Sequence, residues 1–264
     1  MRVRDYIGKK IIVYYHIWSP PDTDIWKIVV DEQIKRLYSS GIPEIATIKC
    51  SIHGVQASRI KHFVSLYDWI DIIECIDSDS NGLSEGITLK YLYQDCINEH
   101  ADNVMFFHNK GMSTYCGNRI EYSDRYIRAV NSWRHLMEWG CIDKWKESLD
   151  KLDTYQVTGV LRCLHPWIHL SGNFWWARAD YITTLPDPTK LEHDKLFGLI
   201  ERVKFERWVG RKEPTIFSFY DPPFDYETDE GFIGMKPDIQ PTPEGEPPWF
   251  WLYRDDIHPY YLKG

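Results

Sequence analysis

From Ile11 to Phe107 short apolar runs alternate with stretches of helical period, and few architectures accept that pattern. The run Ile11 to Ile17 is rich in β-branched and aromatic residues and has no polar face, so it reads as a strand covered on both sides. Pro20 and Pro21 then open a loop, and Ile25 to Ser39 is helical, with Ile28, Val29, Ile34 and Leu37 near one face. Gly41 and Pro43 stop that helix. A second strand is expected from Glu44 to Ile52, a short helix from Ala57 to Leu66 and a third strand from Trp69 to Ile76. The turn-forming loop Asp77-Ser-Asp-Ser-Asn-Gly82 leads to a helix from Ile87 to Glu99 and a fourth strand from Asn103 to Phe107. This alternation predicts a doubly wound α/β fold on a mainly parallel sheet with helices on both faces.

The second half is less regular. Tyr122 to Trp139 and Ile142 to Leu152 have helical spacing, Gln156 to Arg162 and Trp167 to Ala177 read as strands, and helices are expected at Ala179 to Thr184 and His193 to Val209. From Arg211 onward prolines and aromatics accumulate, as in Pro247-Pro-Trp-Phe-Trp251, which suggests an ordered tail. Residues 1–210 therefore read as one domain, and 211–264 as an extension wrapped on it. A chain of 264 residues can bury a core without disulfide or metal help. The formal net charge of −8 argues against nucleic acid as partner, because phosphate neutralisation wants a basic face. It permits one phosphorylated ligand at a local cation. The six cysteines are scattered without a CxxC pair, as in a protein with reduced, buried thiols. Met1-Arg-Val-Arg-Asp-Tyr6 has no apolar leader character, and no stretch reaches the length of a membrane span, so the chain reads as cytoplasmic.

Open parallel sheets bind ligands beyond the carboxyl ends of their strands. Polar clusters end three of the expected strands: Tyr15-His16, Asp77-Ser-Asp79 and His108-Asn-Lys-Gly111. The last is the sharpest. Lys110 can neutralise a phosphate, His108 and Asn109 can hydrogen-bond to it, and Gly111 lets the backbone turn. The plain alternative is a solvated strand exit. In His169-Leu-Ser-Gly-Asn-Phe-Trp-Trp-Ala177, strict alternation puts His169, Ser171, Asn173 and Trp175 on one side, a set suited to sugar hydroxyls and a pyranose face. The alternative is a core strand with packed tryptophans, although twelve indole N–H groups are awkward to bury. Glu206, in Phe205-Glu-Arg-Trp208, is a candidate general base, against the commoner role of an exposed carboxylate paired with Arg207.

Together these residues resemble a known family. Val104-Met-Phe-Phe-His-Asn-Lys-Gly111 resembles the strand-H-x-K-G motif of glycosyltransferase-like proteins from surface-polysaccharide and rhamnan-synthesis clusters, which also occur in large DNA viruses. The His169–Ala177 block, with Asp180-Tyr-Ile182 and Leu185-Pro186, looks like that family's second motif, and Phe205-Glu-Arg-Trp208 is similar to its terminal E-x-W element. The resemblance implies a GT-A-like (Rossmann-like) domain that moves a sugar from a nucleotide-diphosphate donor, UDP favoured, to a glycan acceptor. On that template Tyr15, His16 and Ile17 flank the base, Thr88 and Lys90 lie close to the nucleotide, and His108, Asn109, Lys110 and Gly111 face the diphosphate. His169, Ser171, Asn173 and Trp175 line the acceptor side, and Glu206 is the base of an inverting reaction. Asp77-Ser-Asp79 looks like a metal-binding DXD, but GT-A order places DXD after the fourth strand, where this chain has His108-Asn109-Lys110. No cofactor is then strictly required; manganese or magnesium stays compatible with the resemblance. The alternatives are a non-catalytic carbohydrate or nucleotide-sugar binding module and a nucleotide-sugar hydrolase.

Overall fold

The computed structural model describes residues 6, 8–21, 23–77, 84–112, 124–164, 167–191 and 203–221. Four strands, β1 (Ile11–Ser19), β2 (Thr47–Gly54), β3 (Ile70–Ile76) and β4 (Asn103–His108), are separated by the helices α1 (Ile25–Ser40), α2 (Ala57–Val64) and α3 (Ser84–Asn98). The expected order, strand and helix three times over and then a strand, is therefore the order found. These strands are mutually parallel in the spatial order β3-β2-β1-β4. Beyond β4 the chain forms α4 (Asp124–Glu138), a π turn at Trp139–Asp143 and α5 (Trp145–Lys151). Five short strands follow: β5 (Val157–Gly159), β6 (Arg162–Cys163), β7 (His169–Leu170), β8 (Trp175–Arg178) and β9 (Ile216–Ser218). Three of them extend the sheet to seven strands in the order β3-β2-β1-β4-β8-β5-β9, with β8 antiparallel to β4 and β5. The single-turn helices α6 (Ala179–Ile182) and α7 (Val203–Glu206) complete the described chain.

Both sheet faces are dry, as the uniformly apolar strands require. Along β1, Val13, Tyr15 and Ile17 belong to the core under α1, α2 and α5, while Ile12 and Tyr14 belong to the core under α3 and α6. β4 divides likewise, with Met105 and Phe107 on the first side and Val104 and Phe106 on the second. Buried indoles find partners inside the protein: Trp176 donates to the Cys141 carbonyl, Trp145 to that of Ser40 and Trp208 to that of Pro186.

Several sequence-based boundaries are corrected. On α1 the buried stripe is Trp26, Val29, Val30, Gln33, Ile34 and Leu37, whereas Ile28 faces solvent at 56% exposure. The third helix starts at Ser84 rather than Ile87, which brings Glu85 into its first turn. Gln156 to Arg162 is broken after Gly159, and Trp167 to Ala177 is two strands joined by a turn. In that turn Gly172 and Asn173 both have positive φ, +88° and +60°, which no continuous strand allows. The common face expected for His169, Ser171, Asn173 and Trp175 therefore does not exist. β9 lies past residue 210, so the sheet is completed from within the expected extension. Asp79, Cys116, most of the helix expected from His193 and residues 222–264 lie outside the described residues. Cys50, Cys96, Cys141 and Cys163 are buried free thiols and Cys75 is half-buried. Among the described residues no helix is long and apolar enough to cross a membrane.

Candidate functional site

Register brings the polar strand ends together. His16 on β1 stands beside Ser51 on β2 and His108 on β4. From α3, Thr88 reaches the same spot: its hydroxyl lies 2.8 Å from His16 Nδ1 and also bonds the Ser51 hydroxyl, which lies 3.3 Å from His53 Nε2. All five side chains are buried. Burial, reinforced by the neighbouring histidines His53 and His108, holds the His16 imidazole well below its ordinary pKa; burial takes that of His53 down to about 4. Both rings are neutral at pH 7. The buried Nε2 of His16 has no hydrogen-bond partner among the described residues.

The exit of β4 is built with more internal bonding than the sequence suggests. His108 Nε2 lies 2.9 Å from the Gly172 carbonyl, so that nitrogen carries the proton and ties β4 to the β7–β8 turn. Asn109 accepts from the Trp18 amide at 2.9 Å and donates to the Trp18 carbonyl at 2.8 Å, which extends the β1–β4 ladder by one side-chain pair. Gly111, at φ +90°, lets the chain turn where a Cβ would stand 2.5 Å from Val130.

Lys110 is buried, and its ammonium lies 3.4 Å from Glu206 Oε1 and 4.5 Å above the ring centre of Trp133 on α4. The carboxylate comes from α7, ninety-six positions along the chain. What places α7 is a close approach to α3: a Cβ on Gly86 would fall 2.3 Å from the Phe205 ring. The ordinary expectation for Glu206, pairing with Arg207, gives way to the pair with Lys110, while the Arg207 guanidinium lies 4.2 Å from the ring centre of Trp167.

Of the four residues expected on the acceptor side, the structure brings only His169 to this pair. His169 Nδ1 lies 3.0 Å from the Trp167 carbonyl; desolvation lowers its pKa, and Glu206, Arg207 and Lys110 all act on it. With Nδ1 protonated, its Nε2 is an acceptor. Ser171 is half-buried, and its amide bonds the Leu161 carbonyl. Asn173 is buried and braced on both sides, donating to Glu85 Oε2 at 3.1 Å and accepting from Trp175 Nε1 at 2.8 Å. Trp175 is fully buried against Phe106, so its expected stacking face for a sugar is corrected to core packing. Tyr15 and Ile17 are corrected likewise: both are fully buried on the inner side of β1, where the Tyr15 hydroxyl donates to Gln33 and its ring stacks on Phe107. Lys90 is half-buried on α3, two residues past Thr88.

Glu85 and Trp133 are site residues that the sequence reading missed. Glu85 falls between the expected loop, which ends at Gly82, and the helix expected from Ile87, whereas α3 begins at Ser84. Trp133 is recognisable only once Lys110 is known to be buried beneath α4. Asp77, the first half of the DXD look-alike, caps α2 by accepting from the Ser58 amide at 3.0 Å and from the Ser58 hydroxyl. At the β4 exit the residues do not fit a divalent ion, because His108 and Asn109 are hydrogen-bonded to backbone and Lys110 brings its own positive charge.

Comparison with known proteins adds little about chemistry. No curated protein matches the chain. A protein assigned as a nucleotide-diphospho-sugar transferase from Desulfovibrio desulfuricans G20 is similar at 10% identity and a TM-score of 0.41, over 81% of this chain and 80% of that one. S. aureus TarS 1–349 is similar at 9% identity and a TM-score of 0.36, over 80% of this chain, which spans 60% of that one. Residues 14–218, from within β1 to the end of β9, match the family described as "Domain of unknown function (DUF8361)". The chain belongs to that family, whose extent takes in every site element described above.

Proposed function

We propose that the chain is a glycosyltransferase that moves a sugar from a nucleotide-diphosphate donor, UDP-linked by preference, to a glycan hydroxyl with inversion at the anomeric carbon. The observation that carries this reading is the pairing of Lys110 with Glu206 at the carboxyl edge of a parallel sheet. One is a cation suited to a departing diphosphate, and the other is a carboxylate suited to a hydroxyl proton. In the step, Glu206 takes the acceptor proton as the new glycosidic bond forms. The bond from the anomeric carbon to the phosphate oxygen breaks, and its electron pair leaves with the diphosphate beside Lys110. A donor phosphate competes with Glu206 for the ammonium, so donor binding uncovers the base. The orphaned Nε2 of His16 is the atom offered on the nucleotide side, with Thr88 and Lys90 nearby on α3. His169, through Nε2, orients the acceptor hydroxyl. No step is routed through a metal.

The test is thermal shift across UDP-, GDP- and dTDP-sugars, followed by nucleotide release with and without glycans and NMR of the product anomer. Stabilisation by one nucleotide class, acceptor-dependent release and an inverted product are expected. Binding without release would make the protein a binding module. Release that ignores the acceptor would make it a hydrolase, and a retained anomer would remove Glu206 from the role of base.

A further inference from the structure

Glu85 is a buried carboxylate that the proposed reaction leaves without a role. α3 follows the carboxyl end of β3, so its first turn, which carries Glu85, stands at the same edge of the sheet as Lys110. A closed circuit of contacts runs through it. Asn173 Nδ2 donates to Glu85 Oε2 at 3.1 Å, and the residue before it, Gly172, accepts from His108 Nε2 at 2.9 Å. His108 stands beside His16 in the β1–β4 register, and His16 Nδ1 lies 2.8 Å from the Thr88 hydroxyl. Thr88 is three residues past Glu85 on one face of α3, which closes the circuit. It lies where β1 meets β4, with α1 and α2 on one face of the sheet and α3 on the other, the switch point at which open sheets bind ligands. It also abuts the Lys110–Glu206 pair, because Gly86, next to Glu85, is the seat of Phe205, next to Glu206.

One of the two carboxylate oxygens is spoken for and the other is open. Asn173, which braces Oε2, is itself fixed: it is buried at φ +60°, and its Oδ1 accepts from the Trp175 indole. Oε1 has no hydrogen-bond partner among the described residues, nor does an ion pair hold the carboxylate there. Glu85 keeps 8% of its surface exposed, and Oε1 is not among the atoms sealed from solvent. The N-terminus of α3 offsets part of the cost of a charge at this position. It calls neither for burial nor for an amide brace, and a buried carboxylate is costly unless both oxygens are satisfied.

We infer that Glu85 is a ligand-binding residue whose Oε1 accepts a hydrogen bond from a sugar hydroxyl of the nucleotide-sugar donor. The inference rests on the proposed transfer for the identity of the ligand. A carboxylate can only accept, so the group that meets Oε1 must donate. A donor whose diphosphate pairs with Lys110 is an anion, and the donors it carries in number are hydroxyls, on its ribose and on the sugar to be transferred. A hydroxyl to a carboxylate makes a short, charge-assisted bond. The same charge repels phosphate, so Glu85 and Lys110 together fix which way round the donor lies.

The test is calorimetry with UDP, 2′-deoxy-UDP, 3′-deoxy-UDP, UDP-glucose and UDP-galactose, titrated into wild type and into Glu85→Gln. Glutamine can still accept from Asn173 through Oε1 while its amide nitrogen turns the open acceptor into a donor, so the variant changes the recognising atom and keeps the brace. Wild type is expected to prefer a hydroxylated ligand over its counterpart by about tenfold or more, and Glu85→Gln to lose that preference while binding the counterpart as wild type does. UDP preferred over a deoxy-UDP assigns Glu85 to the ribose; a UDP-hexose preferred over UDP assigns it to the transferred sugar. If Glu85→Gln does not fold, Glu85→Asp takes its place, since it withdraws the oxygen by one methylene and should lose the same preference. Absence of every such preference in wild type, or its survival in the folded variant, overturns the inference, and UDP binding by wild type then leaves the donor reading standing. No binding of any of these nucleotides by wild type overturns both.

Discussion

Among its contacts Lys110 has an ion pair with Glu206 and the face of Trp133, and both bear on what its truncation does. An exposed lysine at a strand exit could be removed at little cost in stability; a buried one leaves its carboxylate partner with one cation fewer. Lys110→Ala is therefore expected to destabilise the fold and also to weaken UDP binding. A charge-assisted contact to phosphate contributes about 1.5–3 kcal/mol, or roughly ten- to a hundred-fold in affinity. Calorimetry on Lys110→Ala and on Lys110→Ala/Glu206→Gln separates the two effects, since the second variant removes both charges. An unaltered UDP dissociation constant in both would remove Lys110 from the donor site. At the same scale, the sequence places His108, Asn109 and Lys110 at the exit of β4 but cannot show that Asn109 faces backbone. An amide reads the same whether it serves a ligand or a strand.

Elements position these residues, and two contacts between elements matter most. The first is the buried network joining α1 to α4, in which Glu138 bonds Arg134, Arg36 and Gln33, and Gln33 also donates to the carbonyl of His108. Arg134→Met leaves Glu138 buried with one cation fewer, and a loss of about 3–5 kcal/mol is expected in urea unfolding. A loss under about 1 kcal/mol would show that the network does not hold α4. The second is the seat of α7 on α3. Gly86→Ala would drive a methyl into Phe205 and displace Glu206, so turnover should fall at least tenfold while UDP affinity changes little; equal losses in both would mean that α3 itself has moved. The first four strands were legible because a continuous apolar run has few other fates. The β7–β8 segment was misread because Gly172 and Asn173 break its alternation, and a positive φ at asparagine leaves no mark on the apolar pattern. The start of α3 was missed because its first turn, Ser84-Glu85-Gly86, looks like the end of the preceding polar loop.

At the scale of the whole molecule, the sheet keeps titratable rings dry, and this gives the fold a pH dependence of definite sign. His16 and His53 both have folded pKa values depressed by burial from an ordinary 6.5. The unfolded chain therefore binds protons that the folded chain refuses. The stability these rings confer is fully present above pH 6.5 and is lost as the pH falls from there toward about 4, where His53 titrates in the fold. Each ring kept neutral contributes a slope of about 1.4 kcal/mol per pH unit in that window. Melting temperature should drop between pH 7 and pH 5, and His53→Gln should make the drop shallower; a flat profile, or an equally steep one in the variant, would contradict this. The function lies at the same scale, because the proposed donor and acceptor groups come from distant segments that only the folded sheet brings together. It is tested most directly by the rate of UDP release from a UDP-sugar in the presence of a glycan acceptor, wild type against Glu206→Gln. The account predicts acceptor-dependent release that falls by roughly 10²–10⁴-fold in the variant while UDP still binds. Release in Glu206→Gln at the wild-type rate, or none from wild type with any UDP-sugar and glycan tried, would contradict it.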